Sequence, residues 1–208
     1  MVKKNLIFII VISILSLLVI SCGNNENSKI QSLVEKAEVL DNKFSGYEID
    51  YDEYMRKIKD VFSNTYTEEK HLKRMGLHGD IDKEYYINVY ENGIEKTMKF
   101  VKTLERNVEV KISKVYDFDE NIKNVFTIAK IEFEDETLSE DGPLIITNRY
   151  YISKEENKWK ITGHEKMQHT NKLRSANKKA FGKELMLTTF NNEPVEYVKT
   201  IYPDTLEY

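Results

Sequence analysis

The chain has 208 residues, 40% of them hydrophobic and 11% aromatic, with 31 Lys+Arg against 35 Asp+Glu and a formal net charge of -4. That content supports a packed core of one or two domains and excludes wholesale disorder. The single cysteine excludes a disulfide scaffold, and the acidic balance gives no support to nucleic-acid binding, which calls for a basic domain.

Lys3 and Lys4 precede Leu6 to Ile20, an uncharged run whose only polar members are Ser13 and Ser16. At ~1.5 Å per residue that run makes roughly 22 Å of helix, short of a ~30 Å hydrocarbon core. A polar segment, Gly23 to Lys29, follows. Residues 1–21 therefore read as a secretory signal rather than a spanning helix.

The end of that segment, Leu18-Val19-Ile20-Ser21-Cys22, resembles the lipobox of bacterial lipoproteins. The resemblance implies diacylglycerol (palmitate-type) transfer to the Cys22 thiol and cleavage between Ser21 and Cys22. The mature protein would then be a membrane-anchored lipoprotein on the extracytoplasmic side, at the cell surface or in the periplasm. Two or three acyl chains hold stably where one holds only marginally. A thioether at Cys22 leaves no thiol for catalysis or metal ligation.

Residues 22–46 are expected to form the lipidated tether and a helix, Ile30 to Phe44, that could stand off as a stalk. Asp50 to Asn64 predicts a helix burying Tyr51, Tyr54, Met55, Ile58, Val61 and Phe62, with Asp50 and Glu53 as a capping pair. A second helix is predicted after Thr67, ending at Gly76. Residues 80–105 fit either a hairpin turning at Asn92-Gly93 or a helix followed by a strand; the second is preferred.

From Arg106 onward the pattern changes to β. Val108, Val110 and Ile112 alternate with polar residues, and Val125, Thr127, Ala129, Ile131 and Phe133 share one face. Leu144 to Ser153 is a long strand, and Trp159 and Ile161 continue after a Lys154-Glu155-Glu156-Asn157 turn. These elements predict an α+β domain over 47–166, with helices packed on a curved antiparallel meander of four to five strands. Residues 167–208 would be a C-terminal extension packed on it, with a strand at Leu185 to Phe190 and a short helix from Pro194 to Ile201.

Helices followed by a meander that closes on Tyr150-Tyr151-Ile152-Ser153 and Trp159-Lys160-Ile161 resemble the nuclear transport factor 2-like, cystatin-like cone family. That resemblance implies a sheet wrapped round a helix with a cavity at the open end. Tyr86, Tyr151, Trp159 and His164 are its candidate lining residues. The family includes small isomerases and dehydratases as well as binding modules, so the fold leaves function open.

Chemical motifs are sparse. No P-loop, dinucleotide-binding turn or serine nucleophile elbow occurs, and no cofactor is expected. His164 and His169 are five apart, unlike the i, i+4 pair of a metalloprotease helix, and no metal is expected. Asp117 to Asn121 has the oxygen ligands of a calcium loop, but Ile122 and Ile128 occupy the positions of its glycine and its bidentate Glu. An acid–base enzyme would draw on Asp82, Tyr86, Tyr151 or His164.

The basic stretch Asn171 to Lys183 offers Lys172, Arg174, Lys178, Lys179 and Lys183 as a solvated face, a contact for anionic lipid or cell-wall polymer, or a protein-docking surface. The sequence favours a non-catalytic binding or assembly module with a small ligand or an envelope protein as partner. An isomerase- or dehydratase-type enzyme and a purely structural envelope protein are the alternatives.

Overall fold

The computed structural model describes residues 26–77, 80–92, 105–176 and 178–207. Helix α1 covers 26–45, followed by α2 (Tyr51–Ile58), α3 (Glu68–Met75) and α4 (Asp80–Glu91). Strands β1 (Arg106–Ser113), β2 (Tyr116–Asp117) and β3 (Ile122–Phe133) come next. After the short α5 (Glu136–Ser139), β4 (Leu144–Glu155) and β5 (Lys158–Thr170) complete the meander. The chain closes through α6 (Asn171–Ala176), α7 (Lys178–Thr188), β6 (Thr189–Phe190), β7 (Glu193–Pro194), β8 (Tyr197–Ile201) and a 3-10 turn at Pro203–Thr205. This is the α+β architecture anticipated: N-terminal helices on a curved, unclosed antiparallel sheet.

Two helix boundaries follow directly from local chemistry. The Asp50 carboxylate accepts from the Glu53 amide (2.6 Å) and caps α2, and Thr67 caps α3. Gly76 ends α3 at φ +85°, where a side chain would be strained. Helix α2 stops at Ile58 rather than Asn64. The chain leaves it so that Ser63 N can reach the Ile161 carbonyl (2.9 Å) and Val61 can accept from the Ile161 amide (3.1 Å), which satisfies part of the β5 edge.

Helix α1 is not a stalk. Ile30, Val34, Ala37, Leu40 and Phe44 are all buried, and so are Glu35, Glu38 and Asn42 between them. It is the rod around which the sheet bends. Phe44 stacks on Tyr54 (ring centroids 4.3 Å) and packs tilted against Tyr86 (4.2 Å), and truncating such an aromatic to Ala costs ~3–5 kcal/mol. The rod has a direction. Glu26 at its start pairs with Lys154 (2.8 Å) beside the β4–β5 turn, while its last turns lie at the other end of the sheet, near Arg106.

The sheet runs β5-β4-β3-β1-β8, with β2 also paired to β3. Glu156 and Asn157 both take positive φ, which is the two-residue turn suited to right-twisted strands. A bulge opposite Tyr151/Ile152 then changes the parity of β5, so Ile161 and His164 both face α1. Gly163 sits at the bulge, where an added Cβ would lie 3.2 Å from Tyr151 Cδ2.

The C-terminal segment corrects several sequence expectations. It covers the convex face and one edge of the sheet, and its last residues reach α1 through Lys199 to Glu35 and Asp204 to Asn42. Strand β5 continues to Thr170, past the expected boundary at 166, and β8 pairs with β1. Residues Leu185 to Thr188 are helical: Glu184 and Leu187 are buried one turn apart while Leu185 and Met186 are exposed, so the apolar run has helical period. Only Thr189–Phe190 forms a strand, joined to Glu193–Pro194 by Asn191 and Asn192, both at positive φ. Tyr197–Ile201 is a strand, not a helix, as its β-branched content allows. The helix at 80–91 is present, while the strand expected at 94–100 lies outside the described residues.

Candidate functional site: a cavity between the central helix and the concave sheet

Strand register builds the site in rows. Val110, Ala129, Ile146 and Gln168 lie side by side on the concave face; Thr127, Asn148 and Lys166 form the next row; Val125, Tyr150 and His164 form the one beyond. The α1 residues Glu38, Asp41, Asn42 and Ser45 recur at i, i+3, i+4 and i+7, so one polar stripe of the rod faces these rows. Between helix and sheet lies a cavity of about 180 Å³. Val108, Ile131, Phe133 and Leu144 supply an apolar wall, opposite the polar stripe.

Glu38 is the centre of the polar side. Its Oε1 accepts from Tyr150 OH (2.8 Å), Asn148 Nδ2 (3.0 Å) and Thr127 Oγ1. Asn148 Nδ2 also reaches Thr127 Oγ1 (3.0 Å), and its Oδ1 lies 3.1 Å from His164 Nε2. Burial pushes the Glu38 carboxyl above its ordinary pKa, against the lowering effect of the Thr127 and Tyr150 hydrogen bonds. Burial pushes His164 well down, helped by the positive charges of Arg74 and Lys166. The site thus holds a carboxyl that protonates readily beside an imidazole that stays neutral.

A second cluster closes the α3 side. Arg74 donates to both oxygens of Asp41 and to Tyr54 OH, and Tyr54 OH lies 3.1 Å from Asp41 Oδ1. Burial disfavours the guanidinium charge, but Asp41 and Tyr54 outweigh that and hold its pKa above the usual value. Beneath α3 the cavity widens into a recess of about 420 Å³ that shares His164, Lys166 and Gln168 with it.

Of the sequence candidates, His164 lines the cavity and three others do not. Tyr86 OH is 2.8 Å from the Phe44 carbonyl and 2.9 Å from that of Ile49, fixing α4 to the rod. Tyr151 lies on the convex face, with the Arg149 guanidinium 4.7 Å from its ring centroid. Trp159 packs at the hairpin end under Lys154, whose Nζ is 4.8 Å from the ring. Asp82 is half-buried on α4 and does not line the cavity.

Beyond the bulge, His164 and His169 point to opposite faces of β5; His169 is buried beside Glu184 of α7 (3.8 Å). No group of three or more His, Cys, Asp or Glu placed to hold a metal occurs among the described residues. Lys172 is exposed and pairs with Asp141 (2.7 Å), and Lys183 is exposed on α7. Arg174 lies on α6, and Lys178 and Lys179 on α7. Ser21 and Cys22 lie outside the described residues.

Glu38, Thr127, Asn148 and Lys166 were missed from sequence. Glu38, Thr127 and Asn148 interrupt otherwise apolar or alternating patterns, and the polar i, i+3, i+4, i+7 stripe on α1 is the signal that would have found the helix side. No protein-family model, curated protein or solved structure matches this chain.

Proposed function

We propose that the protein is a lipid-anchored extracytoplasmic binding module whose cavity takes a small amphipathic ligand. The observation that carries this reading is the cavity itself: an apolar wall on one side, and on the other a buried polar group, Glu38, held by three donors. Small-ligand sites combine a mostly apolar lining with a few fixed polar groups in this way. At about 180 Å³ the inner space suits a small metabolite more than a drug-sized molecule. The lipobox-like Leu18 to Cys22 supports the anchor, and the curved sheet around α1 is compatible with a cone-type fold of the nuclear transport factor 2-like kind.

Two experiments test the two halves. Cys22→Ser should abolish acylation and leave an uncleaved precursor; normal maturation of that variant would refute the anchor. Ala129→Phe fills the cavity from the sheet side and should abolish binding of 1-hexanol, measured calorimetrically. Unchanged binding would remove the cavity from consideration.

One observation favours acid–base catalysis as a second reading. Glu38 has a raised pKa, faces the cavity and is joined through Asn148 to His164, the arrangement an isomerase or dehydratase needs for moving a proton.

A further inference from the structure

The recess under α3 carries an unbalanced charge. Its charged lining residues are Lys70, Lys73, Arg74 and Lys166, all cationic, in a chain whose overall balance is acidic. Arg74 is neutralised by Asp41. Lys166 is not: its ammonium makes a hydrogen bond of 3.4 Å to the Arg74 carbonyl and no ion pair among the described residues. It stands in the same row as Thr127 and Asn148, at the junction of the recess and the inner cavity. A largely buried ammonium without an ion pair is costly even with the carboxyls of Asp41 and Glu38 in its surroundings, and a bound anion is the simplest way to offset that cost. Lys73 is exposed on the rim, and Lys70 extends along Tyr66, 5.8 Å from its ring centroid. Lys70 Nζ donates a long, solvent-exposed hydrogen bond to the Thr65 carbonyl (3.4 Å), which it can exchange for a ligand held by Lys166.

Two carboxyls of α1 face the junction, Asp41 and Glu38; Asp41 is neutralised by Arg74, and burial favours the protonated form of Glu38. Glu38 makes no ion pair among the described residues, and its Oε1 already accepts three hydrogen bonds. A protonated Glu38 keeps those three bonds on its carbonyl oxygen and turns its other oxygen into a donor. Gln168 adds a neutral amide to the lining, and the apolar wall from Val108 to Leu144 lies beyond.

We propose that the site takes a small amphipathic oxyanion, a carboxylate or a phosphate monoester. Its head sits between Lys166, Lys73 and Lys70, and its short apolar chain lies against the concave sheet. This rests on the cavity reading above and adds the class of head group. The electrostatic part predicts that affinity falls with ionic strength, since the rim is open to solvent.

The test is isothermal titration of the full mature protein in lipid nanodiscs, against empty discs, with hexanoate, hexyl phosphate, inorganic phosphate and 1-hexanol. Hexanoate or hexyl phosphate should bind at least about tenfold tighter than 1-hexanol, as a charged hydrogen bond provides. Lys166→Met should weaken hexanoate and hexyl phosphate by about tenfold and so remove their advantage over 1-hexanol. The exposed Lys73→Ala, which does not threaten folding, should weaken the anion roughly threefold and flatten its salt dependence. Preference for hexyl phosphate, with measurable inorganic phosphate binding, assigns a phosphoryl head; preference for hexanoate assigns a carboxylate. Equal affinity for anion and alcohol, or no effect of Lys166→Met on the anion, overturns the proposal while the cavity reading stands. Failure of all four probes overturns both.

Discussion

Asp41 of α1 receives both terminal nitrogens of Arg74 from α3, and the pair is closed by Tyr54 of α2, so one carboxylate ties three helices together. The Arg74 side chain is 2% exposed. Removing one partner of such a pair strands a buried charge, at a cost of ~3–5 kcal/mol. Asp41→Ala is therefore expected to lower the thermal midpoint by roughly 10 °C. Adding Arg74→Met should recover a large part of the loss, because no charge is left stranded. A double variant no better than the single would contradict this account.

Glu38→Gln separates the hydrogen bonds of Glu38 from its charge. The amide oxygen can still accept from Thr127, Asn148 and Tyr150. In the wild type, the folded pKa of Glu38 is raised, so stability is lost as pH climbs from the unfolded carboxyl value through the folded one. The Gln variant has no such loss, and its stability relative to wild type should rise between pH 4 and pH 8. A flat difference across that range would count against a raised pKa. Glu38→Ala should behave differently, costing roughly 3 kcal/mol or more at all pH values by leaving the donors unmatched.

Acid should weaken the fold through histidines. His71 is buried against Phe62 and Tyr66, and burial, with the charge of Arg74, pushes it down to about 4. His164 is depressed for the same reasons. Below pH 6.5 the unfolded chain takes up protons that the folded histidines refuse, so stability falls as pH drops from 6.5 toward 4. His71→Phe should flatten this dependence by roughly 2 kcal/mol between pH 7 and pH 5, read from urea midpoints. An unchanged slope would sink the assignment.

Gly163→Ala should cost ~1–2 kcal/mol, since its Cβ would lie 3.2 Å from Tyr151 Cδ2 and 3.3 Å from Tyr151 Cβ. In a Tyr151→Ala background the ring contact is gone and the penalty should shrink. A double-mutant cycle with no coupling would show that the glycine is required for another reason.

What the sequence conveyed well was whatever depends on neighbours along the chain. Asp50, Thr67 and Gly76 mark their helix ends by local chemistry, and Val108 to Ile131 declare strands by alternation. Helix α1 was harder: Glu35, Glu38 and Asn42 break its apolar stripe, so it resembled a half-solvated stalk. Those polar residues are inside because Lys199, Tyr150 and Arg106, each far along the chain, supply their partners. The site was hidden for the same reason, being made where rows of a sheet meet a helix stripe. Asn191-Asn192 was a readable turn signal that Pro194 obscured by suggesting a helix start.

The direction of α1 governs what the site can reach. Its first turn lies beside Lys154 and Trp159, and its last turns line the cavity, roughly 18–28 Å further along the helix at ~1.5 Å per residue. With Cys22 acylated as proposed, only three residues separate it from Glu26, and those four steps of chain span at most ~14 Å. The hairpin pole would then be the end nearest the bilayer, and the cavity would lie toward the opposite end of the sheet. Ligand would be drawn from the aqueous space beyond the membrane and not from the lipid that holds the protein.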